Sequence, residues 1–185
     1  MVNTSKKITT KRRILKAAAK IISERGVFAL TLDAVAAEAQ ISKGGLLYHF
    51  AGKDKLMRAM KNFIMEKFVQ QIHAYAAVDP CIVGRWTRGY LKTTFEQINT
   101  DLEMNAAFLS AVATDTTLVE EMAADFNELK KHIENDGLDP LKANVVRLAV
   151  DGLYYNQLYG ITLTEREQAQ LLPYLLAFTY EDSSA

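Results

Sequence analysis

Thr31 to Phe50, TLDAVAAEAQISKGGLLYHF, decides the fold of this 185-residue chain. Its first half places Leu32, Val35, Ala36 and Ala39 at i, i+3, i+4 and i+7, one apolar face of a two-turn helix. Thr31 stands just before it, where a hydroxyl can accept a hydrogen bond from a free N–H of the first turn. Gln40 and Ile41 break the pattern, and Ser42 is a second cap, opening a helix over residues 43–50. Leu46, Leu47 and Phe50 give that helix an inward side. Lys43, Gly44, Gly45, Tyr48 and His49 are left facing outward. Two short helices across a tight connection predict a helix-turn-helix whose second helix is offered to something polar.

The outward residues suit a phosphodiester backbone. Lys43 brings a cation to a helix start, where free N–H groups already favour anions. Gly44 and Gly45 each cost up to about 1 kcal/mol in a helix interior relative to Ala, and without a Cβ they permit close approach to a flat surface. Tyr48 and His49 can both donate to phosphate oxygens. Lys53 adds a charge at the start of the next helix. The alternative is plainer: Gly44-Gly45 as a loop, with Tyr48 and His49 covering the domain surface.

Outward from this stretch the helical pattern continues in both directions. Met1 to Thr10 reads as a polar, mobile arm, and Thr10 opens a helix to about Arg25 that Gly26 ends as a left-handed cap. The three N-terminal helices are expected to share a core of Ile14, Leu15, Ile21, Phe28, Leu32, Val35, Leu46 and Phe50. Ala51-Gly52 is a turn, and a long helix runs from Lys53 to about Ala76, roughly 36 Å at 1.5 Å per residue. Five more helices follow: about 81–97, 102–112, 117–135, then 140–161 capped by Asp139 with Pro140 first. The last is opened by the capping box Thr164 to Glu167, ends near Tyr180, and is kinked or shortened by Pro173. The expectation is an all-α chain: a helix-turn-helix domain over 1–52 and a helical bundle over 53–185.

Charge divides the same way. Residues 1–62 hold 13 Lys and Arg against 4 Asp and Glu, a net +9, whereas residues 63–185 hold 9 against 18, a net −9. A basic head on an acidic body suits one end docking on a polyanion while the other stays off it. The positive charges lie on several helices rather than along one amphipathic stripe, which favours nucleic acid over a membrane surface. Cys81 is the lone cysteine, so no internal disulfide forms, and a cytoplasmic location is expected.

The combination Arg13-Ile14-Leu15, Ala17-Ala18, Glu24-Arg25-Gly26, Thr31, Val35-Ala36, Ile41-Ser42-Lys43-Gly44, Leu46, His49-Phe50, Lys53 and Leu56 resembles the DNA-binding domain of TetR-type regulators. It departs from that pattern at Gly45, where the family often has Thr or Ser, and at Leu47, where it often has an aromatic. The resemblance implies operator DNA contacts from Thr31, Ser42, Lys43, Gly44, Gly45, Tyr48, His49 and Lys53. It further implies an effector pocket beside the long fourth helix and a homodimer paired through the last two helices.

No catalytic constellation emerges. His49, His73 and His132 fall on separate helices with no metal-ligand spacing, and neither a Gly-x-Ser-x-Gly nor a phosphate-cradling loop is present. An enzyme, a metal and a cofactor are not expected. The body is rich in large adaptable side chains, including Met65, Phe68, Met104 and Phe126, which suit either a plain core or a pocket between helices. Trp86, Tyr90, Phe108, Asp151 and Tyr155 are the candidates for ligand contacts. Asp151 stands four residues after Arg147, so an intrahelical ion pair is its simpler explanation. Facing a pocket, it would prefer a cationic or hydrogen-bond-donating ligand. Val145, Val146, Ala149, Leu153, Leu158, Leu171, Leu172, Leu175, Leu176 and Phe178 exceed what one core-facing side needs and are candidates to bury against a second copy. The functional expectation is a ligand-responsive DNA-binding regulator, a repressor released from a near-palindromic operator by a small apolar or cationic molecule. The alternative is a helical adaptor without DNA binding.

Overall fold

The computed structural model describes residues 2–100, 102–112 and 115–180. Among them the elements are α1 (Val2–Arg25), a 3₁₀ turn (Val27–Ala29), α2 (Leu32–Glu38), α3 (Lys43–His49), α4 (Lys53–Val78), α5 (Arg85–Thr100), α6 (Leu102–Val112), α7 (Thr116–Glu134), α8 (Pro140–Leu158) and α9 (Glu165–Ala177). No strand occurs among the described residues, and no helix is long and apolar enough to cross a membrane.

Side-chain caps set the starts of α2, α3, α8 and α9 where the sequence placed them. Thr31 accepts from Ala34 N at 3.1 Å, Ser42 from Gly45 N at 3.0 Å, and Asp139 from Lys142 N at 2.8 Å. Thr164 and Glu167 close a reciprocal capping box. The α2–α3 connection is a Schellman pair, with Ile41 N bonded to Ala36 O and Gln40 N to Ala37 O. Its left-handed position is held by Gln40 at φ +53°, where a side chain costs roughly 1–2 kcal/mol more than glycine.

Several boundaries differ from the sequence reading. The first helix begins at Val2 rather than Thr10, because nothing in residues 2–9 is a helix breaker. Gly26 has positive φ but ψ near 165°, an extended geometry rather than a left-handed cap. The fifth helix waits until Arg85, since Asp79 Oδ1 turns the chain by accepting from Cys81 N and Gly84 sits at φ +77°. The eighth stops at Leu158 ahead of Gly160 at φ +76°. The ninth runs through Pro173 and ends at Ala177, so the proline does not cut it short.

The chain forms two compact units. The first comprises Met1–Ile64 and Glu103–Met122. Its core joins Ile14, Ile21, Val35, Leu46 and Phe50 with Leu56 and Met60, and also takes in Ala107, Phe108, Val112 and Leu118. Leu32 packs at the edge of this core. Phe28, expected in it, is 91% exposed. Three consecutive residues of a 3₁₀ turn point three ways, and Leu30, 2% exposed, takes the inward place instead. Leu47 is likewise outside, 40% exposed, because it stands one turn after Lys43 and shares its outward face. Arg58 and Lys61 both reach Glu121, at 2.9 and 3.6 Å, tying α4 to α7 within this unit.

The second unit comprises Met65–Leu102 and Ala123–Ala185, where α8 and α9 both pack on α5. Its core holds Phe68, Ile72, Tyr90, Leu91, Phe95, Leu129, Ile133, Val146, Val150 and Leu153. Of the surplus apolar residues on the last two helices, Val146, Leu153 and Leu175 are buried, and Leu158, Leu171, Leu172 and Leu176 are partly so. Val145, Ala149 and Phe178 remain exposed. The exposed side of α8 reads Leu141, Val145, Leu148, Ala149, Gly152, Tyr155, Asn156 and Tyr159, without one charge. The exposed side of the second half of α9 adds Gln170, Pro173, Tyr174, Ala177 and Phe178, again uncharged.

Candidate functional site

Helix α3 is held by its cap and by Leu46 and Phe50 beneath it, and Lys43, Gly44, Leu47 and Tyr48 are exposed on its other side. Lys43 and Tyr48 are exposed, Tyr48 at 73%, and His49 is half-buried with its ring edge-on to Tyr48 at 5.2 Å. An added Cβ at Gly44 would meet nothing within 4 Å, so packing inside the protein does not require this glycine. At Gly45 a Cβ would press on Ser42 Oγ at 3.1 Å, against the cap. Thr31 and Ser42 each spend an acceptor lone pair on capping and keep an O–H to donate. Lys53 is exposed, its Nζ 3.4 Å from Val27 O. The eight head residues singled out in the sequence thus lie on α3, at the N-caps of α2 and α3 and in the first turn of α4, all in one unit.

One neighbour was not anticipated. Lys43 Nζ pairs with Asp33 Oδ1 at 2.9 Å, linking α3 to the first turn of α2. Both side chains are well exposed, so the pair is worth about 0–1 kcal/mol and can be exchanged for a phosphate. The signal was in the sequence as an acidic first-turn residue. Only the angle between the two helices brings it to Lys43.

In the second unit Tyr90 is buried and donates to Asp151 Oδ1 at 2.5 Å, while Arg147 donates to Asp151 Oδ2 at 2.9 Å. The intrahelical ion pair is therefore formed. Burial raises the Asp151 carboxyl above its ordinary value, against the opposing pull of Tyr90 and Arg147. Burial, then the Asp151 charge, pushes the Tyr90 phenol well up, so it stays a donor. Trp86 is half-buried between His73, edge-on at 4.6 Å, and His132, stacked at 5.2 Å. Tyr155 is half-exposed on the uncharged stripe of α8. Phe108 lies in the core of the first unit, whereas the other four ligand candidates belong to the second. The side chain of Met104 falls outside the described residues.

Two features of the structure had no counterpart in the sequence reading. Arg88 is fully buried, paired through Nε and Nη2 with Asp79 at 2.8 Å, and its Nη1 donates to Thr179 O at 3.1 Å. Its guanidinium lies 4.6 Å from the Tyr180 ring centre. Arg88 pulls the Asp79 carboxyl below its ordinary value. The sequence offered little warning, because Arg85 and Lys92, three and four residues away on the same helix side, are also charged. The second is a cleft of about 300 Å³ in the first unit, lined by Val27, Lys53, Asp54, Met57, Asp115, Thr116 and Leu118. None of the five ligand candidates lines it. Among the described residues, no cluster of His, Cys, Asp or Glu is arranged to hold a metal ion.

A capped helix-turn-helix with an exposed, cationic second helix, joined to an acidic helical body, defines a DNA-binding regulator of transcription. The comparisons agree. The family model described as "Bacterial regulatory proteins, tetR family" matches residues 14–60, and "Tetracyclin repressor-like, C-terminal domain" matches residues 84–180. The chain belongs to the TetR family. Among solved structures it is similar to the fatty acid degradation regulator FadR from Bacillus halodurans, at 16% identity and a TM-score of 0.74, covering 92% of this chain and 94% of that one. A TetR-like transcriptional regulator from Rhodococcus sp. RHA1 matches at 22% identity and a TM-score of 0.69, over 90% and 92% of the two chains. The multidrug binding protein EbrR, complexed with ethidium, matches at 25% identity and a TM-score of 0.61, over 90% and 97%. A search of curated proteins finds no match.

Proposed function

We propose that this chain is a homodimeric repressor, with residues 1–52 reading a near-palindromic operator and residues 53–185 carrying effector and dimer contacts. The observation that carries the DNA reading is the outward side of α3, where Lys43, Leu47 and Tyr48 are exposed beside a Gly44 that no internal contact requires. Lys43, Lys53, Tyr48 and the hydroxyls of Thr31 and Ser42 hold phosphates, with His49 a further donor. Gly44 and Gly45 let the helix start approach the groove. Leu47, now placed outward, suits apolar contact with a thymine methyl group. A dimer sets the two recognition helices about 34–36 Å apart, one turn of DNA.

The effector reading is a small apolar or cationic molecule in the second unit, contacting Trp86, Tyr90, Asp151 and Tyr155. Phe108 serves the core of the other unit and drops out of this set. A half-buried carboxylate beside aromatic rings favours a flat cation, and EbrR in its ethidium complex offers a ligand of that chemistry. Release requires the effector to bind the non-DNA conformation better. A hundredfold loss of operator affinity takes about 2.7 kcal/mol of differential binding. The reading involves no catalytic step. Gel shifts of the purified protein on its own upstream DNA, repeated across salt concentrations, test it. Binding that falls steeply with salt and prefers one palindromic segment is expected; no preference over bulk DNA would refute it.

A further inference from the structure

Gly152 is the least explained residue of α8. It lies inside a helix, where glycine is unfavourable, and it is exposed. A Cβ there would meet nothing within 4 Å, and its φ needs no glycine. Within the protomer, alanine would serve better. Its position along the stripe is also particular. Leu148 and Ala149 stand at −4 and −3, Tyr155 and Asn156 at +3 and +4, and Val145 and Tyr159 at −7 and +7, all exposed. The stripe is thus symmetric about Gly152 and carries no charge.

We propose that the twofold axis of the dimer passes α8 at Gly152, where the helix crosses its own copy at close range; this rests on the homodimer reading above. In an isologous interface the residue on the axis meets itself, and a patch meets the same patch. A face with charges would then bring like charges together, whereas this one does not. The missing Cβ lets the two backbones approach closely at the crossing. On either side, whichever way the helices cross, aliphatic and aromatic arms of one copy fall on uncharged residues of the other.

The test uses the full chain and two readouts. Sedimentation equilibrium compares wild type with Gly152→Leu, whose added bulk has free space in the isolated protomer. The expected result is an unchanged circular dichroism spectrum and a dimer dissociation constant raised about thirtyfold or more. In a Cys81→Ser background, Gly152→Cys should oxidise readily to a cross-linked dimer, since disulfides need Cα atoms about 4.4–6.8 Å apart. Leu141→Cys, at the far end of the same stripe, should not. If Gly152→Cys is itself monomeric, a side chain at the crossing is not tolerated, which again supports the placement. A wild-type dimer that keeps its constant in Gly152→Leu, with cysteine at 152 cross-linking no better than at 141, would overturn the crossing point while leaving the dimer intact. A wild-type monomer at micromolar concentration would overturn both.

Discussion

The Lys43–Asp33 pair makes a prediction with an unusual sign. Asp33→Asn removes a negative charge from the helix-turn-helix and should tighten DNA binding while slightly weakening the fold. When Lys43 swings to a phosphate it stays close to Asp33, because the two are 2.9 Å apart in the free protein. That leaves carboxylate and phosphate roughly 6 Å from each other. By Coulomb's law their repulsion is about 0.7 kcal/mol in bulk water and up to ~3 kcal/mol at an effective dielectric of about 20. Both side chains of the pair are exposed, so the lower figure is nearer. Releasing Lys43 from the pair adds a few tenths of a kcal/mol. The net expectation is about 1 kcal/mol, or roughly fivefold tighter binding at low salt. The gain should shrink as the Debye length falls from ~10 Å at 0.1 M toward ~3 Å at 1 M. Folding should move the other way by about 0.3–1 kcal/mol, since Asp33 stands in the first turn of α2, where the helix dipole favours an anion. The assays are operator titration by fluorescence anisotropy at several salt concentrations, and urea denaturation of both proteins. Equal or weaker binding by Asp33→Asn at low salt would show that Lys43 does not turn to phosphate, and the placement of α3 on DNA would fail with it.

Lys43→Ala and Lys53→Ala should each weaken binding about equally on all DNA sequences and lower the salt slope by roughly one; unchanged slopes in both would remove these contacts. Leu148→Glu, on the uncharged stripe, should give folded monomers, whereas Leu172→Glu and Leu176→Glu, which pack against the core, should lower the melting temperature first; sedimentation and thermal melts separate the two. Asp79→Ala should cost about 3–5 kcal/mol, because it leaves Arg88 buried without its counter-charge. The Asp79 carboxyl is held below its ordinary value, so its contribution is present above pH 3.8 and is lost as pH falls through the lowered folded value. Acid titrations of wild type should therefore show a loss there that the variant lacks. A screen of flat aromatic cations by Trp86 quenching should yield ligands that release the operator. Their affinity should drop about tenfold or more in Asp151→Asn, and in wild type on acidification, earlier than for an ordinary carboxylate because burial raises this one. Equal binding by Asp151→Asn would take the acidic contact out of the effector site.

The helix-turn-helix was legible in twenty residues because its determinants are local. Thr31, Ser42, Asp139 and the Thr164–Glu167 box act on N–H groups two or three residues away, so sequence spacing alone places them. The inner faces of α1 to α3 followed from helical period for the same reason, and the charge division needed only counting. Phe28 and Leu47 went astray because each is apolar and stands within two residues of the one that wins the inward position, Leu30 and Leu46 respectively. Period tells which residues share a side; packing decides which side is inside.

What tertiary structure alone decided is what depends on residues far apart in the chain. Asp33 meets Lys43, Tyr90 meets Asp151, Asp79 meets Arg88 and Arg88 meets Thr179 only once helices have docked. The surplus of apolar residues on the last two helices was visible in composition. Docking on α5 sorted it, sending Val146 and Leu153 into the core and leaving Val145, Leu148 and Tyr155 in an uncharged stripe around Gly152. Phe108, a ligand candidate by its size, became a core residue of the other unit. Side-chain chemistry and period are properties of the local chain, but burial and pairing belong to the assembled fold, because the hydrophobic effect acts on whichever surfaces docking removes from water.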